Sequence, residues 1–151
     1  MTSYGSINAV TDEVISRLNT NKVSLGNFTA IKERDEEPSV IANHQSELPM
    51  IVVMPLANNP DNIRMTMSDG GEIYHSFSLT IMGYYKFSTL DSDIRTMRNY
   101  AYICLDLFRG ANSKVATAHI DAASVNPGYF ILVDNSIYKW VVKFHMRMIE
   151  P

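Results

Sequence analysis

Two stretches of the chain repeat apolar residues at helical spacing. The first runs from about Ser6 to Asn19, with Ile7, Val10, Val14 and Leu18 three or four residues apart. Ser6 is a suitable N-cap, and Glu13 and Arg17 form an i,i+4 pair of opposite charge. This pattern predicts an amphipathic helix at the beginning of the chain.

The second helical stretch runs from about Leu90 to Arg109 and has the longer apolar stripe. Its members are Leu90, Ile94, Met97, Ala101, Cys104, Leu105 and Phe108. Ser88 or Thr89 can cap its N-terminus, and Gly110 is a favourable residue just past its C-terminus. The spacing predicts a long helix with one buried face.

Three stretches before the second helix read as strands. Phe28–Lys32 is short and β-branched, and Pro49–Leu56 is a compact apolar run between prolines. Glu72–Phe87 alternates apolar and mixed positions over its whole length. So long a strand is expected to bend or bulge near Gly83 or to project beyond the body of the domain.

The chain after the second helix also has strand character. The pattern predicts strands at Val115–Ser124, Tyr129–Val133 and Ile137–Ile149, with a tight hairpin connection at Asp134–Ser136. In the last strand one side is apolar, with Tyr138, Trp140, Val142, Phe144, Met146 and Met148. The element order is therefore α-β-β-β-α-β-β-β, which predicts an α+β domain with two helices packed on a mainly antiparallel sheet.

Length and composition fit one globular domain spanning residues 1–151, with an exposed charged loop at about 33–48. The single cysteine excludes an internal disulfide and a cysteine-based zinc site. No apolar run reaches the roughly 20 residues of a membrane span, and the N-terminus lacks signal-peptide character. The net charge of −3 argues against nucleic-acid binding through overall charge.

The sequence carries no recognisable catalytic, cofactor-binding or metal-binding motif. There is no phosphate-binding glycine loop, and the four histidines are far apart: His44, His75, His119 and His145. Cys104 lies within an apolar stripe, and Asp91 and Asp93 suit the positive end of a helix dipole without any chemistry. We therefore predict no catalytic residue, no cofactor and no metal, and a protein that is not an enzyme.

Two sets of side chains are candidates for partner contacts. The first is basic and lies opposite the apolar side of the last strand: Lys139, Lys143, His145 and Arg147. These residues could contact DNA phosphates or an acidic protein surface, but alternation alone also predicts a solvated sheet face, which we favour. Arg95, Arg98 and Arg109 on the second helix allow the same two interpretations. The second set is tyrosines predicted to be partly exposed, as an interface or as a rim of the core: Tyr74, Tyr84, Tyr100 and Tyr102.

The order of the elements resembles one protein family over nearly the whole chain. The long strand containing Phe77–Tyr85 leads directly into the single long helix, and the closing hairpin carries Trp140 within Tyr138–Phe144. This arrangement resembles the tail terminator, or neck, proteins of tailed bacteriophages, similar to the lambda-type tail-tube terminator. The loop at 33–48 and the turn region at 57–71 depart from the family pattern.

The resemblance implies a structural protein of the virion neck, assembled in the host cytoplasm. Such proteins form a homohexameric ring that caps the tail tube, stops its polymerisation and joins the tail to the head–tail connector protein. The implied partners are further copies of the chain, the tail tube protein, the connector and, in a contractile tail, the sheath protein. Genomic double-stranded DNA would pass through the lumen without sequence-specific binding, and no membrane is involved. Another ring protein of the head–tail joint, or a small protein- or ligand-binding module, remain the alternative interpretations.

Overall fold

The computed structural model describes residues 4–33, 48–55, 63–67, 71, 73–86, 91–131 and 137–149. Nearly all of the loop predicted at 33–48 and the hairpin connection predicted at 134–136 lie outside these residues. The caps predicted at Ser88 or Thr89 also lie outside them.

Both predicted helices are present. Helix α1 spans Tyr4–Thr20 and helix α2 spans Asp91–Asp106. The apolar residues of α1 are buried as the spacing predicts, and Glu13 pairs with Arg17 at 3.1 Å. Helix α2 ends three residues before the predicted Arg109, and the chain then forms a short 3-10 turn at Gly110–Asn112.

The described strands form one seven-stranded sheet beneath the two helices. The bounds are β1 Ala30–Glu33, β2 Met50–Met54, β3 Ile63–Met67, β4 Ile73–Lys86, β5 Lys114–Val115, β6 Ala118–Ile131 and β7 Ile137–Ile149. The spatial order is β1-β2-β4-β7-β6-β5, with β3 beside the first half of β4. The α+β class and the order of elements are confirmed, with β3 and the two-residue β5 as additional strands and with two of the predicted strands joined in β6. The sheet is mixed, since β1 pairs with β2 in parallel while the other pairings are antiparallel.

The centre of the sheet is the long pair formed by β4 and β7. Their register runs without a shift from Tyr74 opposite Ile149 to Lys86 opposite Ile137. Of the alternatives predicted for this strand, a bulge near Gly83 is therefore absent, and the bend or projection stays a prediction. The glycine has a packing role instead, because a Cβ atom there would lie 2.3 Å from Nε1 of Trp140, its cross-strand partner.

The β-bulges of this sheet lie in strand β6, whereas the sequence pattern predicts, as one alternative, a bulge near Gly83 in β4. Strand β6 runs through the two predicted strands as one element, with register shifts against β7 between Ile120 and Ala122 and between Asn126 and Tyr129. At the second shift the hydroxyl of Tyr138 donates to the carbonyl oxygen of Pro127 at 2.8 Å. A β-bulge thus replaces the predicted break between strands.

The main core lies between the helices and one face of the sheet. Its largest fully buried side chains include Trp140, Phe144, Phe108, Phe77 and Leu79. A second, smaller apolar cluster lies on the opposite face, formed by Leu48, Met50, Val52, Met54, Met82, Tyr84 and Ile137. Strand β2 is consequently buried on both faces, which explains its uninterrupted apolar sequence.

Candidate interaction surface

Three basic side chains project from the exposed end of β7, on the sheet face opposite the helices. Lys143, His145 and Arg147 are exposed, and they alternate with buried core residues of the same strand. This confirms the predicted alternation for three of the four members of the basic set. We call this face, with its flanking positions on β4 and β6, the basic sheet face.

Small residues flank His145 on both neighbouring strands and Lys143 on β6. Ser78 on β4 and Ala122 on β6 are the register partners of His145, and Ser124 is the β6 partner of Lys143. The gap above these small side chains is a shallow groove of about 340 Å³. A partner strand or loop can therefore approach the cations closely.

The bulge in β6 brings an acidic residue onto the basic sheet face. Asp121 is the extra residue between Ile120 and Ala122, and its Oδ1 lies 2.5 Å from Nδ1 of His145. Both side chains are partly exposed, so water competes with this contact and the contact is weak. Ser78 lies across from His145, but among the described residues no hydrogen bond joins that hydroxyl to the imidazole. The arrangement is thus a charged contact surface and does not form a serine–histidine–carboxylate relay.

The fourth basic residue, Lys139, was predicted to share this exposed face, and that prediction is wrong. Lys139 is only 5% exposed, because the second apolar cluster covers this end of the same sheet face. Its Nζ lies 5.5 Å from the ring centroid of Tyr84, its cross-strand partner. Desolvation by burial lowers the pKa of Lys139 below its usual value.

Burial of Lys139 makes a pH-dependent prediction. Since its pKa is lower in the folded than in the unfolded chain, the unfolded chain binds more protons as the pH approaches the ordinary lysine pKa of about 10.4. The lysine's contribution to the free energy of unfolding must therefore rise with pH in that range. The difference in free energy of unfolding between the wild type and Lys139→Met is therefore expected to shift in favour of the wild type as the pH rises from about 8 to about 10.

Urea denaturation of the wild type and of Lys139→Met at each pH measures this difference. Lys143→Met is the matched control, because it removes an exposed lysine from the same strand. Parallel pH profiles for the wild type and Lys139→Met would contradict the prediction.

The other predicted contact residues do not join the basic sheet face. Arg95, Arg98 and Arg109 are exposed on or just after α2, and Arg109 pairs with Asp106 at 2.9 Å. These arginines therefore belong to the helical side of the domain.

The tyrosine predictions have mixed outcomes. Tyr102 is 49% exposed, and Tyr100 is half-buried with its ring stacked on Tyr85 at a centroid distance of 4.8 Å. The prediction for Tyr84 is wrong, because that side chain is fully buried in the second apolar cluster. The side chain of Tyr74 is outside the described part.

Tyr85 and Tyr100 also border a second cavity, of about 280 Å³, beside Gly26, Pro49, Lys86 and Met97. The hydroxyl of Tyr85 donates to the carbonyl oxygen of Leu25 at 2.8 Å, and burial raises the pKa of this phenol. That hydroxyl is therefore held in a structural hydrogen bond.

The remaining titratable candidates are dispersed. His75 is buried in β4, His119 is exposed in β6, and His44 lies outside the described residues. Within the described ranges, no three His, Cys, Asp or Glu side chains are grouped so as to hold a metal ion. Cys104 is fully buried, and desolvation raises the pKa of its thiol, which disfavours the reactive thiolate. In the same ranges, neither helix is long and apolar enough to cross a membrane.

Comparison with known proteins gives a likeness of fold. No protein-family model matches the chain, and no curated protein matches it. Among solved structures, the chain is similar to one from the virion of a native gene transfer agent particle, with a TM-score of 0.62 and 11% identity. The match covers 98% of this chain and 100% of that chain. At this identity the likeness establishes a shared fold that extends over the full length of both chains.

Proposed function

We propose that the protein is a virion structural protein, a tail terminator at the neck of a phage-like particle. In this role it forms a hexameric ring that caps the tail tube, stops tube polymerisation and joins the tail to the head connector. The observation that carries the proposal is the full-length fold match to a chain of a gene transfer agent virion. The order of elements is consistent with the proposal, since the same order resembles the tail terminator family in the sequence.

The surface chemistry suits a protein whose partners are other proteins. The basic sheet face presents the exposed Lys143 over small neighbouring side chains, which favours charge-assisted contacts with an acidic surface. The net charge is −3, so the ring as a whole repels phosphate. A lumen that conducts DNA must bind it weakly, because strong phosphate binding would stall passage.

The test is negative-stain electron microscopy of the purified protein at high concentration, alone and with tail tubes assembled from the tube protein of the same genome. The expected result is six-fold rings, or single caps on tube ends that stop further elongation. A protein that stays monomeric and leaves tube growth unchanged would overturn the proposal. Salt-dependent binding of free double-stranded DNA at submicromolar concentration would count against a DNA-conducting lumen.

A further inference from the structure

The outer edge of β6 is open in the described part of the chain. Strand β5 pairs with it only at Ala118 and His119. Beyond that point no described strand lies against β6 on this side, and Ala122, Ala123 and Ser124 are exposed. An open strand edge presents backbone donors and acceptors that another strand can pair with.

The hydrogen bonds show which residues of β6 face outward. The N–H of Ile120 donates to the carbonyl oxygen of Ser113, on the side away from β7. The β7 partners of Ile120, Ala123 and Val125 are spaced two residues apart, so the alternation continues across the bulge at Asp121. Ala123 and Val125 therefore also direct their N–H and C=O groups away from β7.

The open edge is short and well bounded. The bulge at Asp121 precedes it, and the irregularity at Pro127 and Gly128 follows it. Between them, residues 122–126 run in regular register and carry no charged side chain. Proteins protect strand edges with bulges, prolines and charges. In β6 the charged bulge residue Asp121 and Pro127 flank residues 122–126, and no such feature lies within them.

Among the described strands, β1 is the outermost at the opposite edge of the same sheet. Strand β1 runs parallel to β2, and three antiparallel steps separate β2 from β6. The two edges therefore run in opposite directions, as antiparallel pairing of like-oriented copies requires. The four residues of β1 also fit along the open segment of β6.

We infer that the β6 edge of one copy pairs with the β1 edge of the next and continues the sheet from subunit to subunit. A contact between two different edges is heterologous, and its repetition closes a ring when the rotation allows. The inference rests on the proposed ring, for which it names the subunit interface.

The faces of the two strands limit the register of this pairing. Lys32 is the partner of Val52, which belongs to the second apolar cluster, so Lys32 lies on the face opposite the helices. Ala122 and Ser124 lie on that same face, since they pair with His145 and Lys143. If all copies keep their helices on one side and β1 stays clear of Pro127 and Gly128, Lys32 must lie opposite Ala122 or Ser124 of the neighbouring copy.

Disulfide trapping in the full-length chain tests the pairing. Lys32→Cys is combined with Ser124→Cys, or with Ala122→Cys for the alternative register, and the protein is oxidised at high concentration with and without tail tubes. The native Cys104 is fully buried and does not compete. The expected product is a ladder of cross-linked species that ends at a closed ring. The control combines Lys32→Cys with Ser16→Cys on the exposed side of α1 and is expected to remain uncross-linked.

A second pair of variants tests the backbone edge itself. Ala123→Pro removes an outward N–H, and Ala123→Ser keeps it. The proline is expected to weaken the cross-linked ladder about tenfold while circular dichroism and the melting temperature show a folded monomer, and the serine is expected to leave the ladder intact.

Three outcomes would overturn the inference. The first is a ladder no stronger than that of the Ser16→Cys control, and the second is dimers formed by Ser124→Cys alone, which would show that two β6 edges pair with each other. The third is a ladder that Ala123→Pro leaves unchanged although the protein is folded. The proposed function fails separately. A strong ladder without capped tubes would contradict the proposed terminator function but support the proposed interface. Capped tubes without a ladder would contradict only the proposed interface.

Discussion

Replacing Gly83 with alanine is expected to lower the free energy of unfolding by about 3 kcal/mol, the upper end of the usual cost of overpacking. The added Cβ would lie 2.3 Å from both Cε2 and Nε1 of Trp140, far inside contact distance. Trp140 is fully buried at the centre of the sheet, and Phe144 and Val142 pack in the same core. Neither the indole ring nor the β4 backbone can move without disturbing the packing of the main core. The steric strain is therefore not relieved and destabilises the folded state.

Urea denaturation of the wild type and Gly83→Ala measures this loss. Gly71→Ala is the control, because a Cβ at Gly71 meets nothing within 4 Å, although its φ of +81° gives the substitution a backbone cost. That cost is expected to be about 1 kcal/mol, well below the effect at Gly83.

A double variant tests the cause of the strain. Trp140→Phe removes the ring atoms nearest to the new Cβ, so Gly83→Ala is expected to cost about 1–2 kcal/mol less in that background. Additive effects of the two substitutions would show that the steric conflict with Trp140 is not the source of the loss.

The sequence predicts the two helices and the central strands because a single periodicity decides each of them. Ile7, Val10, Val14 and Leu18 repeat at helical spacing and are buried together in the core. The alternation along β7 likewise separates buried Phe144 from exposed Lys143. Such patterns record which face meets the core and do not depend on partners far along the chain.

Features that depend on two-sided burial could not be predicted in the same way. Tyr84 and Lys139 occupy positions that alternation assigns to a solvated face, and the second apolar cluster covers them. The parallel pairing of β1 with β2 also escapes local analysis, because it joins residues about 20 positions apart. Each of these features follows from tertiary contacts that override the local pattern.

The basic sheet face was only partly predictable for a similar reason. Lys143, His145 and Arg147 are visible in the sequence as an alternating basic set. The contact between Asp121 and His145 depends on one extra residue in β6, which shifts the register and has no distinct signal in the sequence. Among the described strands, the open stretch of β6 is likewise a property of the topology, since the terminal strand β5 pairs with β6 only at Ala118 and His119.

Arg17→Ala is expected to lower the free energy of unfolding by about 2–3 kcal/mol, the scale of hydrogen bonds made by a charged group. The guanidinium donates to three carbonyl oxygens of the connection between α2 and β5: Leu107 at 3.1 Å, Asn112 at 2.7 Å and Lys114 at 3.3 Å. It also lies 4.8 Å from the ring centroid of Phe108. Removal of the guanidinium therefore deprives three carbonyl oxygens of a charged hydrogen-bond donor.

The matched control is Arg17→Lys, which keeps the charge but replaces a planar fork of donors with a single ammonium group. It is expected to retain less than half of the stabilisation, because one ammonium cannot reach three separated carbonyl groups. Chemical denaturation provides the free energies. A lysine variant as stable as the wild type would show that the charge alone provides the stabilisation. An alanine variant within about 0.5 kcal/mol of the wild type would show that Arg17 does not stabilise the fold.

Arg17 also contacts Lys114 of β5, the strand that pairs with the beginning of β6. Glu13, the ion-pair partner of Arg17, accepts a hydrogen bond from the N–H of Ala116 in the turn between β5 and β6. Together the two side chains hold residues 107–116 against α1, and within that segment Ser113 accepts the N–H of Ile120 at the beginning of β6. In Arg17→Ala, amide hydrogen exchange at Ile120 is therefore expected to accelerate before exchange in β7 does. Equal acceleration in both strands would mean that Arg17 stabilises the whole domain and has no local effect on the open edge.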